Sequence, residues 1–171
     1  MNPLVVPIFR WSPCTPDSLK RAPRPVRGVQ SDDPTVIRVL AVHTDDVVSA
    51  LEANATRDVR AVLRVTPPFS GRIRARLHLA GAEGTYDTDP EPLHVEPERL
   101  VADDAPAYPT PDRTEDELRS DPGVTYSPES HREYHERRVD EWRERVREHV
   151  RERTTVSTPT GPHEVRVATL G

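Results

Sequence analysis

At 171 residues and a net charge of −5, the chain has the length of one ordinary domain, and its one cysteine, Cys14, excludes an intrachain disulfide and cannot by itself make a zinc site. An apolar share of 34% with 19 prolines implies a modest core and much backbone in turns and extended segments. The apolar run within Met1–Arg10 is short and broken by Pro3 and Pro7, so neither a signal peptide nor a membrane anchor is expected, and the cytosol is the expected compartment.

In chain order, residues 1–33 are dense in proline, carry Arg10, Lys20, Arg21, Arg24 and Arg27, and show no period of 2 or 3.6. They read as an extended arm outside the fold. The domain is expected over 34–171. The β-branched run Thr35–Val42 predicts a strand. Thr44 follows as the expected N-cap of a helix running to about Asn54, with Asp45 and Asp46 in the first turn, where carboxylates suit the helix dipole. A second strand is expected over about Asp58–Val65, and Pro67–Gly71 turns the chain into a third, Arg72–Leu79. Strand, short helix and strand in succession predict a right-handed crossover with the first two strands parallel. The second and third should pair antiparallel.

Residues 80–111 are acidic and broken by glycine and proline, with one short strand expected at Leu93–Val95. Thr114–Glu117 fits a capping box for a short helix that stops before Asp121–Gly123. Ser127 with Pro128 opens the longest helix, expected to reach about Glu152, with a narrow stripe of Val139, Trp142, Val146 and Val150. That stripe should dock Trp142 against strand residues such as Leu63, Ile73, Leu77 and Val165, leaving Glu136, Glu144 or Glu148 at the rim near arginines. The last strand is expected over His163–Thr169. The fold class is therefore α+β: a small mixed sheet with an arginine-rich face, one crossover helix and a long C-terminal amphipathic helix.

The pattern that points to chemistry is arginine alternating with apolar residues. A period of two places Arg72, Arg74, Arg76 and His78 on one face of the third strand, with Ile73, Ala75, Leu77 and Leu79 toward the core. Arg60 and Arg64 flank Val62 in the strand before it. If the two strands pair, these six residues form one patch, and the guanidinium fork suits carboxylates and phosphates alike. The expected function is a non-enzymatic binding or accessory module for an acidic or phosphate-bearing partner, with no cofactor and no membrane. A nucleic-acid binder is the weaker version, because aromatic stacking residues are not interleaved with the arginines. The alternative is a small enzyme with its site near His131 and His135. These imidazoles stand four residues apart on one helical face, a spacing that can hold a transition metal, although no third ligand is indicated.

Lys20 is the only lysine among 24 basic residues, which resembles the composition of proteins from salt-loving archaea. The segments Arg64–His78, Leu93–Leu100 and Gly161–Val167 together resemble an uncharacterised family of haloarchaeal proteins. That resemblance covers residues from about 34 onward and implies a salty cytosol, with no catalytic residue attached.

Overall fold

A computed structural model describes residues 30–57, 59–81 and 89–171. The arm expected over 1–33 lies outside the described residues except for its last four. The elements are β1 (Val39–His43), α1 (Thr44–Thr56), β2 (Arg60–Val65), β3 (Arg72–Arg74), β4 (Arg76–Ala80), β5 (Leu93–Val95), α2 (Pro111–Arg119), α3 (Pro128–Arg147), β6 (Arg153–Thr158) and β7 (Gly161–Leu170). Single 3-10 turns cover Pro34–Val36 and Pro97–Leu100. The class is α+β, as the sequence implies, but the strands form two sheets where one was expected. One has the order β3-β1-β7-β6 and the other β4-β2-β5.

The division arises inside the segment expected as a single strand. Ala75 is fully buried and its N–H donates to the Ala41 carbonyl at 2.9 Å, closing the parallel pairing of β3 with β1. One residue later Arg76 stands opposite Arg64, and β4 runs antiparallel to β2. A methyl side chain at the changeover lets the backbone bend without displacing the core. The expected parallel pairing of the first two strands is thereby corrected. The parallel partners of β1 are β3 and the C-terminal β7, so α1 carries the chain from one sheet to the other. The antiparallel pairing expected of the second and third strands holds for β2 and β4.

Helix termini follow local chemistry closely. Ser127 and Ser130 exchange side-chain-to-backbone bonds at 3.0 and 2.9 Å, a serine version of the capping box, with Pro128 in the first turn. The cap of α1 is His43, while Thr44 is its first residue and donates its hydroxyl to the Gly171 carbonyl at 3.3 Å. Helix α2 begins earlier than expected, at Pro111 with Thr110 as N-cap, which moves Thr114 from a cap into the helix. Helix α3 ends at Arg147, short of Glu152. Beyond it, Val150 bridges Val101, Ala102 donates to the His149 carbonyl at 2.8 Å, and Arg151 donates to that of Leu100 at 2.8 Å. These pairings turn the chain out of the helix and into β6, which was not expected. Thr154 and Val156 of β6 face inward. The hairpin to β7 turns at Gly161, whose φ of 121° is one that residues with a side chain rarely adopt.

The core is built from Leu40 and Val42 of β1, Val47 of α1, Leu63 and Val65 of β2, Phe69 of the following turn and Val165 of β7, each at or near full burial. Burial of seven such side chains stabilises the fold by roughly 1.5–3 kcal/mol apiece. Leu77 and Leu79 depart from expectation. They point to the core side of β2, but β4 is a sheet edge, and they stay 39% and 44% exposed. Trp142 is buried, yet its neighbours are Tyr108, edge-on at 5.0 Å, and the Pro106 carbonyl, which accepts its indole N–H at 2.8 Å. Helix α3 thus packs on α1, on α2 and on the segment before α2. The ion pairs that fix it also run opposite to expectation. Arginines of α3 hold carboxylates of α1, with Arg143 on Glu52 at 2.6 and 2.9 Å and Arg147 on Asp45.

Candidate functional site

Register sorts the expected arginines into two groups. On the four-stranded sheet, Leu40, Val42, Val165, Val167 and Val156 point to the core, so the alternate residues form the outer face. Arg72 and Arg166 both lie in register with Val39, and Arg153 is opposite Arg166. A single row across the sheet therefore reads Arg72, Val39, Arg166, Arg153, with Arg74 two residues along β3. At the usual strand spacing of about 4.8 Å, Arg153 and Arg166 are immediate neighbours and Arg72 is about 10 Å from Arg166.

All four arginines are exposed. Arg153 pairs with Glu164 at 2.7 Å, whereas Arg72, Arg74 and Arg166 make no ion pair among the described residues. Beneath them lie the partly or fully buried Val39 and Ala41, an apolar floor for the arginine stems. Arg166 and Arg153 were not among the residues singled out in the sequence. Arg166 shared the alternation of Val165 and Val167, which was signal enough. Arg153 had none, because its strand was hidden behind the helical pattern.

The second group, Arg60, Arg64, Arg76 and His78, shares the outer face of the three-stranded sheet, joined by His94 opposite Arg64. Here the charges are engaged except that of Arg76, which makes no ion pair among the described residues. Arg60 pairs with Glu96 at 2.9 Å, and His78 and His94 stack with ring centres 5.9 Å apart. Val62 lies on this same face and is buried. The six residues expected as one flat patch are thus divided over two sheets at the Ala75 bend, four on one and two on the other.

His131 and His135 do come together, but on a hydroxyl. Thr114 of α2, fully buried, lies 3.1 Å from His131 Nε2 and 3.0 Å from His135 Nδ1, and its Oγ1 donates to the Pro111 carbonyl at 2.9 Å. With that proton given to Pro111, both imidazoles donate to the threonine oxygen, so the two nitrogens that converge are occupied by a helix-to-helix clasp. Among the described residues no cluster of three or more His, Cys, Asp or Glu side chains is placed to hold a metal ion. Nearby, Glu117 accepts from Tyr134 and Arg138 at 3.1 Å each and from Arg113 at 3.2 Å. Burial pushes its carboxyl up, but these bonds and the Arg138 charge outweigh it and hold it below the usual range.

A cavity of about 510 Å³ beside Arg153 is lined by Arg99, Arg151, Glu98, Asp103 and Glu164. Its charges are largely spent on each other, Arg151 with Asp103 and Arg153 with Glu164. No described helix is long and apolar enough to cross a membrane. In the exposed row, Arg72 and Arg166, with Arg74 beside them, keep guanidinium groups that make no ion pair among the described residues. No curated protein and no solved structure matches the chain. A family model does match, over residues 27–171, and the chain belongs to that family, described as a domain of unknown function (DUF8009).

Proposed function

We propose that this domain is a non-enzymatic binding module that recognises a carboxylate- or phosphate-bearing partner through the outer face of its four-stranded sheet. The observation that carries this reading is the cross-strand arginine row, in which Arg72 and Arg166 with neighbouring Arg74 have no ion pair among the described residues. Strands hold these side chains at fixed spacing, and forked guanidinium groups on a rigid sheet suit paired oxyanions. The polarity of the α3 contacts supports the same reading, because that helix uses its own Arg143 and Arg147 on α1. It therefore places no demand on the sheet arginines. We further propose a cytosolic, high-salt setting of haloarchaeal type, on the strength of a single lysine, 29 acidic residues and a net charge of −5.

In molar salt the screening length is about 3 Å, so recognition must rest on direct bidentate contacts and not on long-range attraction. The test is calorimetric titration with polyglutamate and with inorganic polyphosphate, comparing the native chain with a triple variant carrying Arg72→Gln, Arg74→Gln and Arg166→Gln. Loss of three exposed charge contacts should weaken binding by about tenfold to a hundredfold. The melting temperature should hold. Unchanged affinity for both polyanions in the variant would remove the reading.

A further inference from the structure

A cavity of about 420 Å³ opens between α1, α3 and residues 101–108, walled by Leu51, Val101, Ala105, Tyr108, Trp142 and Val146. That volume falls in the range of small-molecule sites. The charged residues on its wall are both carboxylates, Glu98 and Asp103, and no basic side chain lines it. Asp103 is neutralised by Arg151. Glu98 has no ion pair among the described residues.

Glu98 is held by a specific arrangement. The Asn54 amide accepts from the Ala61 N–H at 2.7 Å and donates to the Ala61 carbonyl at 3.1 Å, which fixes which way the amide faces. Its second N–H then reaches one oxygen of Glu98 at 3.4 Å. The other carboxylate oxygen has no partner among the described residues. The Tyr108 ring also lines the cavity, edge-on to Trp142, with a hydroxyl that makes no hydrogen bond among those residues. Burial, reinforced by the Glu52 charge and opposed by Arg143, pushes the Tyr108 phenol up, so it stays neutral at physiological pH.

We propose that this cleft binds a small organic ammonium ion, its cationic head at Glu98 and Tyr108 and its alkyl body against Leu51, Val101 and Val146. A carboxylate at the rim repels anions, an apolar wall gives nothing to an inorganic cation, and an aromatic ring adds attraction for an ammonium group. The site is opposite in charge to the arginine face and independent of it. Its test uses n-butylammonium chloride, followed by the indole N–H resonance of Trp142 in the full chain, with sodium butyrate and sodium chloride at equal ionic strength as controls.

The expected result is a saturable shift with n-butylammonium at millimolar concentration and none with either control. Glu98→Gln keeps the acceptor for Asn54 and loses the charge, and it should weaken binding by about tenfold. Ala105→Leu should narrow the cavity and weaken binding with Glu98 intact, so a folding defect in one variant does not decide the matter. The triple arginine variant should bind n-butylammonium as the native chain does. No saturable shift, an equal shift from butyrate or sodium chloride, or native affinity in both cavity variants would overturn the proposal.

Discussion

Thr114 has one hydroxyl proton and three neighbours within hydrogen-bond reach, the Pro111 carbonyl and the rings of His131 and His135. A hydroxyl is the one small side-chain group that can donate once and accept twice, so no apolar residue of the same shape serves here. Thr114→Val keeps the volume and leaves the His135 N–H without its acceptor, while His131 Nε2 keeps the Pro111 carbonyl at 3.2 Å. Stability should fall by about 1–3 kcal/mol, read by urea denaturation. An unchanged midpoint would mean that the rings turn to solvent at no cost and that the clasp is incidental. The four-residue spacing of the histidines was legible in the sequence, and so was their shared face. What they meet was not, because Thr114 lies 17 and 21 residues away on another helix and hydroxyl positions carry no periodic signal.

At the scale of elements, the pairing of α2 with α3 combines little apolar burial with much charge. Leu118 and Val139 are the buried apolar residues where the two pack, and Glu117 gathers Arg113, Tyr134 and Arg138 around one carboxylate. Since the folded carboxyl titrates below its unfolded value, its contribution is complete above the usual carboxylate range and is lost as pH falls through the lower, folded value. Glu117→Gln should therefore melt below the native chain at neutral pH, by about 1 kcal/mol, and the two curves should converge in acid. A gap that persists in acid would show that packing, not charge, links the helices. Strand alternation was legible in the same way as helical spacing. Arg72, Arg74 and Arg76 do lie on one side of their segment, but a period of two fixes only the side, and hydrogen-bond partners decide the sheet. The change of partner at Ala75 left no trace in that period. Strand β6 was hidden for a different reason, since Arg151, Glu152 and Arg153 continue the charge pattern of α3 and only backbone pairing with residues 100–102 ends the helix.

For the molecule as a whole the question is which force holds the layers together, because the surface carries many ion pairs and the core is small. Most of those pairs are exposed, and each such pair contributes about 0–1 kcal/mol and is weakened by salt. Trp142 belongs to a different account. It is 5% exposed, stacks edge-on with Tyr108, gives its N–H to Pro106 and sits where α3 meets α1. Removing the indole enlarges the cavity beside it and takes the donor from the part-buried Pro106 carbonyl, so Trp142→Ala should cost about 3–5 kcal/mol. Arg74 is exposed and has no ion pair among the described residues, so Arg74→Gln should change stability by less than about 0.5 kcal/mol. Both variants are to be unfolded thermally at low and at molar sodium chloride. Because burial is unscreened, the gap between them should survive high salt. If Arg74→Gln melts as early as Trp142→Ala, the sheet arginines are part of what holds the fold, and a face needed for stability is a poor candidate for a face kept open to a partner.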